Sequence, residues 1–157
     1  MIHHFSISAQ NPRHVAEVLA SVIGGFVVPF PPHPGSFMAF AGDEYGTAIE
    51  VYPLGIELAP GQEEQDANFV NNASPSQLSA THAAISVKAS QEQIEEIGKR
   101  EGWRVRRFSR EGLFDVVEFW IENRVLVEFL TPEMASQYLA LAKPEALEAL
   151  MAQSTPV

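Results

Sequence analysis

Two histidines and two glutamates recur in this chain at one spacing: His4 precedes Glu50 by 46 residues, and His82 precedes Glu128 by the same 46. Imidazole nitrogen and carboxylate oxygen together suit a transition or borderline divalent metal. Two neutral imidazoles and two carboxylates would balance a doubly charged ion and leave coordination positions open for water or substrate. A carboxylate in such a set can also carry a proton. Cysteine is absent, so thiolate ligands, cysteine nucleophiles and disulfides are excluded.

The elements that must position these residues can be read from hydropathy period. His4-Phe5-Ser6-Ile7-Ser8 alternates as a half-buried strand, with His4, Ser6 and Ser8 on one face and Phe5 and Ile7 on the other. Asn11-Pro12 predicts a helix N-cap and first turn. Val15, Val18, Leu19, Val22 and Ile23 follow at helical spacing, and Gly24-Gly25 ends the run. Strands are predicted over 26–30, 36–41 and Thr47–Tyr52, separated by the loop Pro31-Pro32-His33-Pro34-Gly35 and a turn at Gly42–Gly46. In the last of these strands Glu50 shares a face with Ala48 and Tyr52, opposite Ile49 and Val51. The same order returns later: a strand over Thr81–Val87, a helix from Ser90 to about Gly102, and strands over 103–108, 113–120 and 124–130. His82 again shares a face with small residues, Ala84 and Ser86, and Glu128 lies opposite Val127 and Phe129. All four polar residues therefore point away from the faces that pack on helices.

Sliding the chain on itself by 78 residues gives nine identities between His4 and Pro53: His4/His82, Ile7/Ile85, Ser8/Ser86, Glu17/Glu95, Gly24/Gly102, Val27/Val105, Phe30/Phe108, Glu44/Glu122 and Glu50/Glu128. Ordinary composition would give roughly three such pairs in fifty by chance. The chain therefore reads as an internal duplication. The first module covers residues 2–56, a polar connection 57–79, the second module 80–131, and a helical tail 132–157. In that tail Thr131-Pro132-Glu133 starts a helix through Leu141, Pro144 interrupts it, a second short turn of helix follows, and residues 154–157 are expected to fray.

With Asp and Glu outnumbering Lys and Arg by twenty to ten, the formal charge is −10. That balance disfavours nucleic acid and anionic membrane surfaces as partners. No apolar run is long enough to span a bilayer, and the N-terminus lacks the layout of a secretory signal, so the expectation is a cytoplasmic protein. Seven of the ten basic residues, Lys99, Arg100, Arg104, Arg106, Arg107, Arg110 and Arg124, fall within one stretch. They could anchor a substrate carboxylate or phosphate, with Arg106 and Arg124 the better placed, or they could simply protect an edge strand with charge. Tyr52, on the face of Glu50, is a further substrate-binding candidate. His3 competes with His4 as a ligand, but parity and its register over Thr81 favour His4. His14 and His33 have no counterparts in the repeat and are expected at the surface or in loops.

With paired βαβββ modules bearing His4, Glu50, His82 and Glu128 on their first and last strands, the chain resembles the vicinal oxygen chelate superfamily over residues 2 to about 131. This superfamily includes glyoxalase I, bleomycin-resistance proteins, fosfomycin-resistance proteins and extradiol dioxygenases. The resemblance implies an α+β fold in which two tandem βαβββ modules form a U-shaped mixed sheet around a cavity, with a C-terminal helical tail added here. It implies a divalent metal (nickel, cobalt, zinc, manganese or iron) held by His4, Glu50, His82 and Glu128, a set similar to that of bacterial glyoxalase I. The activity it implies is that of a lyase or isomerase stabilising an enediolate of a small oxygenated substrate, with Glu50 or Glu128 shuttling the proton. A metal-free module that sequesters a small molecule, of the bleomycin-resistance type, is the competing expectation. An extradiol dioxygenase is disfavoured by the fourth ligand. No glutathione-binding pattern is recognisable. The C-terminal helices could cap the open sheet or support a homodimer, plain packing being the simpler expectation.

Overall fold

Alternating faces and helical spacing place most elements close to where the sequence predicts them. In the computed structural model, which describes residues 2–154, the first module runs β1 (His4–Ala9), α1 (Pro12–Ile23), β2 (Phe26–Pro29), β3 (Phe37–Phe40) and β4 (Ala48–Pro53). These strands form one sheet in the order β1-β4-β3-β2, with β1 parallel to β4 and the other neighbours antiparallel. The second module runs β7 (Ala83–Ser86), α2 (Gln91–Glu101), β8 (Arg104–Arg110), β9 (Phe114–Ile121) and β10 (Val125–Leu130). Its sheet has the equivalent order, β7-β10-β9-β8.

The duplication is visible in the hydrogen-bonded register. Phe5 pairs with Ile49, Ser6 with Glu50 and Ile7 with Val51. In the second module Ala83 pairs with Val127, Ala84 with Glu128 and Ile85 with Phe129, each 78 residues on. Gly24 and Gly102, identical in the repeat, both close their helices in the left-handed conformation, at φ 73° and 70°. A side chain would be strained there, which explains the pair. The antiparallel hairpins depart from the ungapped repeat. Phe26 pairs with Phe40, whereas Arg104, 78 residues beyond Phe26, pairs with Trp120, 80 beyond Phe40.

In the first module α1 presents Val15, Val18, Leu19 and Val22 to the buried sheet residues Ala39, Ile49 and Val51. Asn11 caps the helix by accepting from the His14 amide, and Pro12 occupies its first turn. In the second module Ile94, Val117, Phe119, Val127 and Phe129 are buried to 0% exposure. Helix α2 lies so close to β8 that a Cβ on Gly98 would meet Val105 Cγ2 at 2.0 Å. Ser90 and Gln93 form a reciprocal capping box at its start.

Three features go beyond the sequence reading. From the last residue of the predicted first module into the predicted polar connection, β5 (Ile56–Ala59) and β6 (Asn68–Asn71) form a two-stranded antiparallel sheet. In the tail, α3 (Pro132–Leu141) is followed by α4 (Pro144–Ser154), a helix of 11 residues where a single short turn is predicted. Of residues 154–157, expected to fray, Ser154 ends α4, and 155–157 lie outside the described residues. Finally, the chain divides into two compact units: residues up to Ala80 together with Ile121–Val125, and Thr81–Trp120 together with the residues from Leu126 on. The turn of the β9–β10 hairpin thus groups with the first unit. Its Glu122 carboxylate accepts from the backbone amides of Gln10 (2.7 Å) and Asn11 (3.0 Å), and Arg124 donates to Gln77 at 3.1 Å.

Candidate functional site

In the first unit the parallel pairing of β1 with β4 sets His4, Ser6 and Ser8 beside Ala48, Glu50 and Tyr52 on one face of the sheet. Glu50 is 8% exposed. Its Oε2 accepts from the hydroxyls of Ser6 and Tyr52, each at 2.7 Å. Its Oε1 stands 3.8 Å from Nε2 of His4, whose side chain is largely exposed. Among the described residues no guanidinium or ammonium group lies against this carboxylate. A buried carboxylate held only by hydroxyls and an imidazole lacks a full counter-charge, which costs free energy. That donor set fits a divalent cation.

Tyr52 is buried, with its ring against Phe30, His33 and Phe69 at centroid distances of 5.7, 5.9 and 5.4 Å. Phe69 comes from β6, so the hairpin that the sequence reading leaves out covers this tyrosine. Burial pushes the Tyr52 phenol up to about 12, reinforced by its hydrogen bond to the Glu50 carboxylate and by that group's charge. Tyr52 is therefore a fixed donor at neutral pH. His3 is engaged elsewhere, its Nδ1 2.7 Å from the carbonyl oxygen of Tyr45. His33 lies in its expected loop, with Nδ1 2.9 Å from Ser36 Oγ.

The second unit treats its glutamate differently. Glu128, also 8% exposed, pairs in register with Ala84. At the positions equivalent to Ser6 and Tyr52 stand Ala84 and Leu130, so the hydroxyl donors are gone. Instead Arg110, the last residue of β8, bonds Glu128 Oε1 through Nη2. The same Nη2 donates to Glu118 Oε1 at 2.9 Å, and the Trp120 indole donates to Glu118 Oε2 at 3.1 Å. The hydrogen bonds to Glu128 and Glu118 raise the Arg110 pKa further above its ordinary value. Arg107 pairs with Asp115 across the same edge strand and holds that carboxyl below its usual range. Much of the arginine cluster thus neutralises acids along an edge.

No protein-family model matches this chain, and no curated protein matches it. Solved structures do. The fosfomycin resistance protein FosX of Listeria monocytogenes superimposes with a TM-score of 0.54 at 12% identity, over 87% of this chain and 97% of that one. FosX of Mesorhizobium loti gives 0.51 at 13% identity, over 88% and 96%. The chain therefore shares the fold of these fosfomycin resistance proteins. A third structure, a glutamate-to-glutamine mutant of the Listeria protein complexed with Mn(II) and 1S,2S-dihydroxypropylphosphonic acid, gives 0.51 at 13% identity, over 89% and 96%.

Within this fold, the structure brings His4 and Glu50 together with Ser6 and Tyr52. His82 is exposed and lies one residue before β7, shorter here than the strand predicted over Thr81–Val87. Among the described residues no three His, Asp or Glu side chains gather as a metal-holding group. Of the substrate-binding candidates, Arg106 is exposed on β8 and pairs in register with Glu118. Arg124 is buried, bonded to Gln77 and paired with Glu122 at 3.4 Å. The sequence offers Arg110 only as one of a basic stretch and does not mark Glu118. Their meeting depends on a diagonal reach across β8 and β9 that no spacing rule signals.

Proposed function

We propose that this chain is a metal-dependent lyase or isomerase acting on a small oxygenated substrate, with His4, Glu50, His82 and Glu128 as protein ligands of a divalent ion. The observation that carries the reading is the buried Glu50 carboxylate, which has hydroxyls and His4 around it but no guanidinium or ammonium group among the described residues. The shared register of the two parallel strand pairs, which gives Glu128 the same place in its sheet as Glu50, supports it. The Mn(II) complex of the Listeria protein supports the class of ion, while manganese, nickel, cobalt, zinc and iron all suit these donors. Such an ion, when bound, supplies Lewis-acid polarisation of substrate oxygens.

The chain's own residues divide the remaining work. Ser6 and Tyr52 saturate Oε2 of Glu50 and fix its plane, leaving Oε1 as the oxygen that takes up and returns a proton. Tyr52 stays protonated and orients that base without acting as an acid. Glu128 is the second carboxylate able to serve as base. Arg106, exposed on the face that carries Glu118, is the anchor for an anionic group on the substrate.

The test is metal content by elemental mass spectrometry of untagged protein, alongside His82→Ala and Glu128→Gln. Near-stoichiometric divalent metal that is lost in both variants is the expected result. Absence of metal even after reconstitution overturns it. The Arg110–Glu128 pair would then favour a metal-free sequestering module.

A further inference from the structure

The two modules satisfy equivalent buried glutamates by different means. Glu50 relies on the hydroxyls of Ser6 and Tyr52, whereas Glu128 relies on Arg110. The position equivalent to Arg110 in the first module is Pro32, so the device belongs to the second module alone. Resting on the reading of Glu128 as a metal ligand, we propose that Arg110 is a built-in competitor for the cation at Glu128, and that Glu118 sets the strength of the competition.

The geometry suits displacement. A guanidinium does not lose its proton at any ordinary pH, so an incoming cation must move it aside. Arg110 is one-third exposed and sits at the strand's end, next to the turn in which Glu111 and Gly112 are left-handed. On leaving Glu128 it keeps its bond to Glu118, so no charge is stranded. Among the described residues both of its bonds run through Nη2, and Nε–H and Nη1–H are uncommitted. Glu118 in turn is held by the Trp120 indole, which keeps it where the released guanidinium needs it.

The experiment is calorimetric titration of Mn2+ alone into apo protein, for the wild type, Arg110→Gln, Glu118→Gln and Glu128→Gln. Arg110→Gln should bind Mn2+ about tenfold more tightly, because a charge-assisted bond to Glu128 no longer has to be broken. Glu118→Gln should bind more weakly, since Arg110 then serves Glu128 alone. Should Arg110→Gln fail to fold, Arg110→Lys keeps the charge but loses the planar donor fork, and should bind more tightly than wild type by a smaller factor. Unchanged or weaker affinity in the Arg110 variants, with wild-type binding abolished by Glu128→Gln, overturns the competitor role and leaves the metal reading standing. No Mn2+ binding by wild type or by any variant overturns both.

Discussion

Replacing Tyr52 by phenylalanine deletes one oxygen and leaves the ring among Phe30, His33 and Phe69. The lost interaction is a 2.7 Å hydrogen bond to a carboxylate that is 8% exposed. Hydrogen bonds to charged groups contribute about 1.5–3 kcal/mol, and the apolar fit of phenylalanine offsets part of that, so a destabilisation of about 2 kcal/mol is expected at neutral pH. For a chain of this length that corresponds to a fall in Tm of about 4–8 °C. The pH dependence gives a sharper signature. The Tyr52 phenol is raised from 10.0 to about 12 in the folded protein. A group raised on folding contributes stability that is complete below its unfolded pKa and is lost as pH rises through the folded one. Between pH 10 and 12 the unfolded chain releases this proton while the folded chain keeps it, so wild-type stability should fall by about 3 kcal/mol from this group. Tyr52→Phe should lack that component. Phenolate absorbance gives a direct check, because one of the three tyrosines should titrate late and vanish in the variant. Equal stability of variant and wild type, with the late titration intact, would refute the assignment of this hydroxyl to Glu50.

Two further substitutions test the frame around the site. Gly98→Ala forces a methyl to within 2.0 Å of Val105 Cγ2 and should cost about 1–3 kcal/mol in urea denaturation, much of it recovered in Gly98→Ala/Val105→Ala; an undisturbed single variant would contradict the close packing of α2 on β8. Arg124→Met removes the cation beside Glu122 and should cost about 3 kcal/mol; a double-mutant cycle with Glu122→Gln that shows no coupling would discount the pair.

The strands that carry the candidate ligands were legible in the sequence because two independent signals agreed on them. Alternation fixed the face of His4, Ser6, Glu50 and Glu128, and the 78-residue repeat fixed their correspondence, which the observed register of β1 with β4 and β7 with β10 reproduces. Helix limits were legible for local reasons: Asn11-Pro12 and Ser90 at the starts, Gly24 and Gly102 at the ends. The β5–β6 hairpin was not, since Asn68-Phe69-Val70-Asn71 has no amphipathic alternation and all four residues are exposed. Nor was the role of Arg110. Seven basic residues in one stretch look alike in sequence, and only the sheet shows that Arg110 reaches two acids while Arg107 reaches Asp115. Arg124 shows the same limit, because its partner Gln77 lies 47 residues away in the connecting segment.

The hairpins of the two modules differ in register by two residues, and that even number has a consequence for how such a duplicated chain can change. A strand that slips by one exchanges its inward and outward side chains, whereas a slip of two restores them. Met38 is the cross-strand partner of Glu50, and in the second module Glu118 and Glu128 share Arg110 while Val117 and Phe119 stay in the core. Lengthening or shortening either hairpin in pairs of residues should therefore recruit new side chains to the face of the glutamates at little cost in folding, while single-residue insertions should be purged. The antiparallel hairpin is the part of each module free to explore new partners, and the parallel pair that carries the glutamates stays fixed.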